Sequence, residues 1–426
     1  HKLTMAQSLI FEEYDLPNKL HVILHPNNAA PVVTIGVMYH VGAKDEDPTR
    51  TGFAHFFEHL LFEGTQNISR GKWFDIVSAN GGHNNAFTTQ DKTYYYEVFP
   101  SNNLQLGLWM EAERMLHPVI NEIGVSTQNS VVKEEKNQRI DNAPYGRIMY
   151  RSAINPYLFK KHPYSGTVIG EVEHLDAASL EEFIAFKKKF YNPNNAVLVV
   201  AGDFDTPTTK KWIEQYFATI PNTGNVIQRN KMEEVPITET IEVTEYDPNI
   251  QIPLKLYAYR TPAMTDKDSY TIDLLSNILT DGKSARLYKK MIDEHQTALQ
   301  VLAFSDAQED YGVYIMGALP MDGVNLETLA QEMDEEIERL QTELISEREY
   351  EKLQNQIEAN FVAQNSNMEG IALSLADNYT FYKDTNLINK AIDHYRTITR
   401  EDIREAARKY LDKKQRLDLN YLPSVQ

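Results

Sequence analysis

His55 and His59 stand four residues apart in the segment HFFEHLLFEGT, residues 55–65. Apolar spacing predicts a helix over 51–62, and on it the two imidazoles project from one face about a turn apart. That separation lets both reach a single divalent cation at roughly 2.0–2.1 Å. Glu58 lies one residue before His59, so the three side chains share about 100° of helix circumference. A carboxylate there can take a proton from a water at the cation and hand it to a leaving amine without itself being a ligand. The spacing alone is a weak signal, because two of the chain's 12 histidines are more often surface residues than ligands.

Two histidines leave a catalytic zinc one protein ligand short, since such sites hold three and keep one position open. The chain has no cysteine, so disulfides and thiolate ligands are excluded and the third ligand must be another His, Asp or Glu. Val131-Val132-Lys133-Glu134-Glu135-Lys136-Asn137 offers two acids on a helix predicted over 121–140. Glu134 and Glu135 point about 100° apart, so only one can face the metal, and the pattern does not choose between them.

The elements that must carry these residues are mixed in kind. Strands are predicted near 8–13, 19–25, 32–40, 83–89, 93–99 and 195–201, with helices near 51–62, 71–79, 102–115, 121–140 and 206–218. A polar stretch opening with Ile220-Pro221-Asn222-Thr223-Gly224-Asn225 breaks both periods and reads as a linker over 220–238. Beyond it the order of elements returns: strands near 240–246 and 252–260, a helix at 266–280, strands near 298–305 and 310–318, and a last strand near 416–422. Phe190-Tyr191-Asn192-Pro193, ahead of one strand, is answered by Lys409-Tyr410-Leu411-Asp412 ahead of the last. The expected fold is therefore α+β in two related domains, 1–219 and 239–426, each an antiparallel-rich mixed sheet with helices packed on it. The metal motif falls in the first. Opposite it in the second lies Asp273-Leu274-Leu275-Ser276-Asn277-Ile278, which cannot bind zinc the same way, so that half reads as a degenerate copy.

A net charge of −19, from 42 Lys and Arg against 61 Asp and Glu, argues against nucleic acid or an anionic membrane as partner. No apolar run approaches the roughly 18 residues a membrane span needs. The sequence opens with His1 rather than Met, which suggests a trimmed chain, and a bacterial periplasm or cytoplasm is the expected compartment. Gly282-Lys283-Ser284 lacks the upstream glycine of a phosphate-binding loop, since Asn277 stands there. No Gly-x-Ser-x-Gly elbow occurs; His40, His117, His162 and His174 lack ligand spacing and read as structural, and His83, placed where it could touch a substrate, reads as a loop histidine.

The inverted motif His-x-x-Glu-His, with Glu135 lying 76 residues beyond His59, resembles the pitrilysin or insulinase family of zinc peptidases, including the β subunit of the mitochondrial processing peptidase and bacterial two-subunit homologues. The similarity runs along nearly the whole chain and takes in Gly52-Phe53-Ala54, Phe62-Glu63-Gly64-Thr65, and Asn84-Asn85-Ala86-Phe87-Thr88 with Thr93 and Tyr95. The resemblance implies Glu135 as third ligand, with Glu134 as the fallback, and one Zn2+ per chain. It implies that Asn85, Ala86, Phe87 and Thr88 form an edge strand on which an extended peptide pairs. It implies a zinc endopeptidase acting on peptides or unfolded segments, with Glu58 as general base, built as half of a clam-like chamber.

The chain departs from the family's pattern in two respects. Gln128 stands where an acidic residue often precedes the ligand by seven; an amide can orient a ligand but adds no charge. Ile292 and Leu299 stand where an Arg and a Tyr complete the family's site, and a hydrophobic pair cannot stabilise a developing oxyanion. The expected partner is thus a paralogue without the zinc motif that supplies the Arg and Tyr in a heterodimer, with a homodimer as the alternative. The rival reading is a non-catalytic structural or peptide-binding subunit of the same fold, in which Glu58 would have no task.

Overall fold

The computed structural model describes residues 8–229 and 231–424, so the outermost ends of both predicted domains and one linker position lie outside it. The first sheet has six strands: β1 (Glu12–Asp15), β2 (His21–Pro26), β3 (Val32–Tyr39), β4 (His83–Thr88), β5 (Thr93–Pro100) and β6 (Ala196–Gly202). Their order is β1-β2-β6-β3-β5-β4. β2 and β6 pair in parallel and the other neighbours antiparallel. β6, with sequence AVLVVAG, is buried at every position, because it lies inside the sheet and both its faces are covered. Helices α1 (Phe53–Leu60), α2 (Trp73–Ala79), α3 (Leu104–Leu116) and α4 (Glu122–Lys136) follow within this half.

The second sheet holds β7 (Ile241–Asp247), β8 (Leu254–Thr261), β9 (Ala298–Ala307), β10 (Gly312–Pro320) and β11 (Arg416–Pro423), ordered β7-β11-β8-β10-β9. Leaving β1 aside, the two sheets have the same strand order and the same single parallel pair, β2 with β6 and β7 with β11. The helix before the last strand of each sheet also starts alike. Ser179 and Glu182 form a reciprocal capping box on Leu180–Phe190, as Thr399 and Asp402 do on Arg400–Tyr410. The two domains are related copies of one α+β plan.

Residues 220–238 form neither helix nor strand among those described. The compact units, however, are not the continuous stretches 1–219 and 239–426. One unit takes the chain up to Lys136, from Gly166 into the linker, and Phe361–Lys390; the other takes Asn137–Ser165, the linker on to Asn360, and the chain from Ala391. The cause is that each sheet has two faces to cover. Helix Met368–Asp377 lays Ile371, Ala372, Leu375 and Ala376 against Ile23, Met38, Val197, Val199 and Ala201 of the first sheet. Conversely Ala153, Ile154, Leu158, Phe159 and Tyr164 cover Leu254, Leu256, Ala258, Ile315, Leu417 and Leu419 of the second. Apolar periodicity marks such segments as buried without saying which sheet buries them.

Candidate metal centre

α1 is short and largely buried, with Phe53, Phe56 and Phe57 turned inward. Their rings pack on helix Leu180–Phe190: Phe53 and Phe56 on Phe183, at 4.2 and 4.6 Å between centroids, and Phe57 on Phe186 at 5.4 Å. The first residues of the helix are held by Glu46 from the preceding loop, whose Oε2 accepts from the Gly52 N–H at 2.9 Å and Oε1 from the Ala54 N–H at 2.7 Å. Gly52 itself has φ +85°, and a Cβ there would stand 2.4 Å from the Ile169 carbonyl oxygen. This packing fixes the roll of α1 and leaves His55 and His59 on the one face that is not filled.

Glu135 meets them from α4. Its Oε2 lies 3.6 Å from His55 Nε2 and 3.3 Å from His59 Nε2. One ligand atom of each residue lies within 4.8 Å of the other two, the one such group of three metal-ligating side chains among the described residues. Atoms held about 2.0–2.2 Å from a tetrahedral cation stand roughly 3.3–3.6 Å apart. The two imidazole-to-carboxylate distances therefore fit a zinc ion, as does the donor chemistry of two nitrogens and an oxygen. Between 13% and 21% of each side chain remains exposed, so the face is open to solvent. Glu134 is exposed and is not part of the cluster.

His59 is aimed by a chain of hydrogen bonds. The Gln128 Nε2 donates to Glu63 Oε1 at 2.6 Å, which turns the amide oxygen toward His59 Nδ1 at 3.1 Å. Nδ1 must then carry the proton, leaving the Nε2 lone pair pointed at the cluster. Glu63 is itself bound by Arg70. Burial disfavours a charged His59, but the hydrogen bond to Glu135 and the Glu58 charge outweigh it and raise its pKa.

Glu58 is buried beside the two histidines, and burial pushes its carboxyl up to about 7, against the hydrogen bond from Thr88, whose Oγ1 donates to Oε2 at 2.5 Å. Behind it, the fully buried Arg114 of α3 stacks on Trp73, Tyr95 and Phe62 at 3.9, 4.5 and 4.6 Å and pairs with Glu111 at 2.9 Å. The remaining members of the predicted substrate strand lie on β4, which forms the edge of its sheet. Asn85 Oδ1 accepts from the Ala86 N–H at 2.9 Å, and Phe87 packs on Tyr94 at 5.7 Å between centroids. In the second unit, Ile292 packs half-buried on the apolar core and Leu299 is exposed on β9. His162 pairs with Asp310 at 2.9 Å and His174 with Thr51 at 2.7 Å.

Sequence reasoning did not assign roles to Glu46, Glu63 or Arg114. Glu63 alone left a local signal, four residues after His59. Glu46 meets its partners six and eight residues downstream, across a loop that no helix or strand period describes, and Arg114 reaches the rings of Phe62, Trp73 and Tyr95 only through tertiary contacts.

Residues 21–170 match the family described as insulinase, peptidase family M16, and residues 177–357 match the one described as peptidase M16 inactive domain. The chain belongs to the insulinase family of peptidases. The segment matched by the inactive-domain description carries no His-x-x-Glu-His, and the metal cluster lies wholly within the first match. Among its relatives is the zinc protease PqqE of Helicobacter pylori, 29% identical over 376 residues that make up 87% of this chain and 84% of the relative. A protease structure from Helicobacter pylori aligns with a TM-score of 0.92 at 26% identity, over 98% of this chain and all of that one. Pitrilysin aligns with a TM-score of 0.78 at 16% identity, over 99% of this chain but 46% of its own, so that enzyme is about twice as long. Among the described residues no helix is long and apolar enough to cross a membrane.

Proposed function

We propose that this chain is a zinc-dependent endopeptidase that cleaves peptides or unfolded segments, with one Zn2+ held by His55, His59 and Glu135. The observation that carries the reading is the convergence of those three ligand atoms within 4.8 Å of one another, with Glu58 buried next to them. A structural zinc site is normally closed by four protein ligands, and three with an open face suit catalysis. A zinc ion bound there supplies a Lewis acid that polarises the scissile carbonyl and makes water more acidic.

Glu58 accepts the proton from the attacking water and passes it to the leaving amine. Burial, which brings its carboxyl to about 7, suits it to both transfers at neutral pH. The free edge of β4 offers backbone groups to an extended peptide, with Asn85, Ala86, Phe87 and Thr88 as the binding strand. Gln128 keeps His59 in the ligating tautomer. Replacing Glu58 by Gln should leave zinc content intact and lower peptide cleavage by at least about 10²-fold. Elemental analysis beside a fluorogenic peptide assay reads both, and unchanged cleavage in that variant refutes the mechanism.

We also read the chain as the metal-bearing member of a pair. Ile292 is engaged in the apolar core and Leu299 is aliphatic, so neither offers a donor to a substrate carbonyl. A paralogue carrying the Arg and Tyr supplies them in a heterodimer; the alternative assembly is a homodimer, whose second copy repeats Ile292 and Leu299 and brings no such pair. The mass of complexes isolated from the native source separates these, and a fully active monomer defeats both. The compartment on this reading is a bacterial periplasm or cytoplasm.

A further inference from the structure

On the reading above, in which Glu58 moves the proton, we propose that Thr88 is the positioning residue of that base and ties its carboxylate to the strand that receives the peptide. Thr88 is the last residue of β4, and its Oγ1 donates to Glu58 Oε2 at 2.5 Å. The backbone alternation of β4 can be read from two bonds. Thr89 N–H donates back to the Lys92 carbonyl at 2.8 Å, toward the β5 side, while the Ala86 N–H is met only by the side chain of its neighbour Asn85 at 2.9 Å. Odd-numbered residues thus turn their backbone groups to β5, and Asn84, Ala86 and Thr88 turn theirs to the free edge. The same alternation puts the side chains of Ala86 and Thr88 on the face where α1 lies. A peptide pairing at Ala86 is therefore two residues from the hydroxyl that holds the base.

A threonine hydroxyl has one proton. Given to Oε2, it fixes the plane of the Glu58 carboxylate and leaves Oε1 to receive the proton from water. Glu58 has three rotatable bonds, and the Glu135 carboxylate repels it. Without the tether the carboxylate samples orientations in which Oε1 is off line, and small displacements of a reacting group cost large factors in rate. Threonine suits the task because its β-branch stiffens χ1, so the hydroxyl direction is set by the strand. Serine keeps the donor but loses the stiffness.

The test uses the full chain loaded with zinc. Thr88→Val should lower kcat about tenfold or more while KM stays within about twofold and zinc content is unchanged, and Thr88→Ser should recover most of the loss. A Val variant with native kcat, or one altered in KM alone, overturns the proposal, as does a Ser variant no better than Val. Thr88→Ala replaces Val in the series if the Val protein does not fold. A readout without turnover is the unfolding midpoint of Thr88→Val measured in the native and the Glu58→Ala backgrounds. The shift should shrink at least twofold when Glu58 is absent, and an undiminished shift overturns the proposal. A chain that cleaves no peptide defeats the proposed function, and the midpoint comparison then still decides on Thr88.

Discussion

Gln128 carries no charge, and what it contributes to His59 is direction. The amide stands between an imidazole that must donate from Nδ1 and a carboxylate that can only accept, so one orientation satisfies both neighbours. In this way Glu63 acts on His59 through an intermediary rather than by contact. Replacing Gln128 by Leu keeps the volume and leaves the Nδ1–H and Glu63 Oε1 without that partner. Zinc affinity should fall about 10- to 100-fold, as for other losses around a ligating histidine, read by competition with a chelator. Unchanged affinity would mean that the packing of α1 alone orients the ring.

α1 is eight residues long, too short to be stable by itself, and its position is imposed from outside. Its inner face is held by the rings of Leu180–Phe190 and its first turn by Glu46, which does the work that a capping side chain does for longer helices. Glu46→Ala leaves two N–H groups in a buried region without their acceptor. We expect a loss of about 1–3 kcal/mol in denaturant unfolding, with weaker zinc binding as the helix start loosens. Native stability and native zinc affinity in that variant would show that the aromatic packing suffices. The helices opening with Ser179 and Thr399 differ here: their caps are four-residue patterns, legible in sequence because both partners lie within one turn.

At the scale of the molecule, each sheet is completed by a segment from the other half of the sequence. Leu375, in the second half, is fully buried against strands of the first. Leu375→Ala should cost about 2–5 kcal/mol, and hydrogen exchange should rise at β3 and β6 while β8 and β10 keep their protection. Loss of protection at β8 and β10 instead would defeat the exchanged arrangement. The sequence by itself determined what depends on neighbours a few residues away: the strands and helices, the repeat of their order, and two imidazoles one turn apart with an acid between them. The tertiary structure decided which of Glu134 and Glu135 turns inward, since that follows from the roll of α4 set by the buried Val132. It also decided which sheet claims each buried segment and which distant groups hold His59 and Glu58. Periodicity is a property of a single element, whereas the rotation of that element and the identity of its partners are settled only when other surfaces close against it.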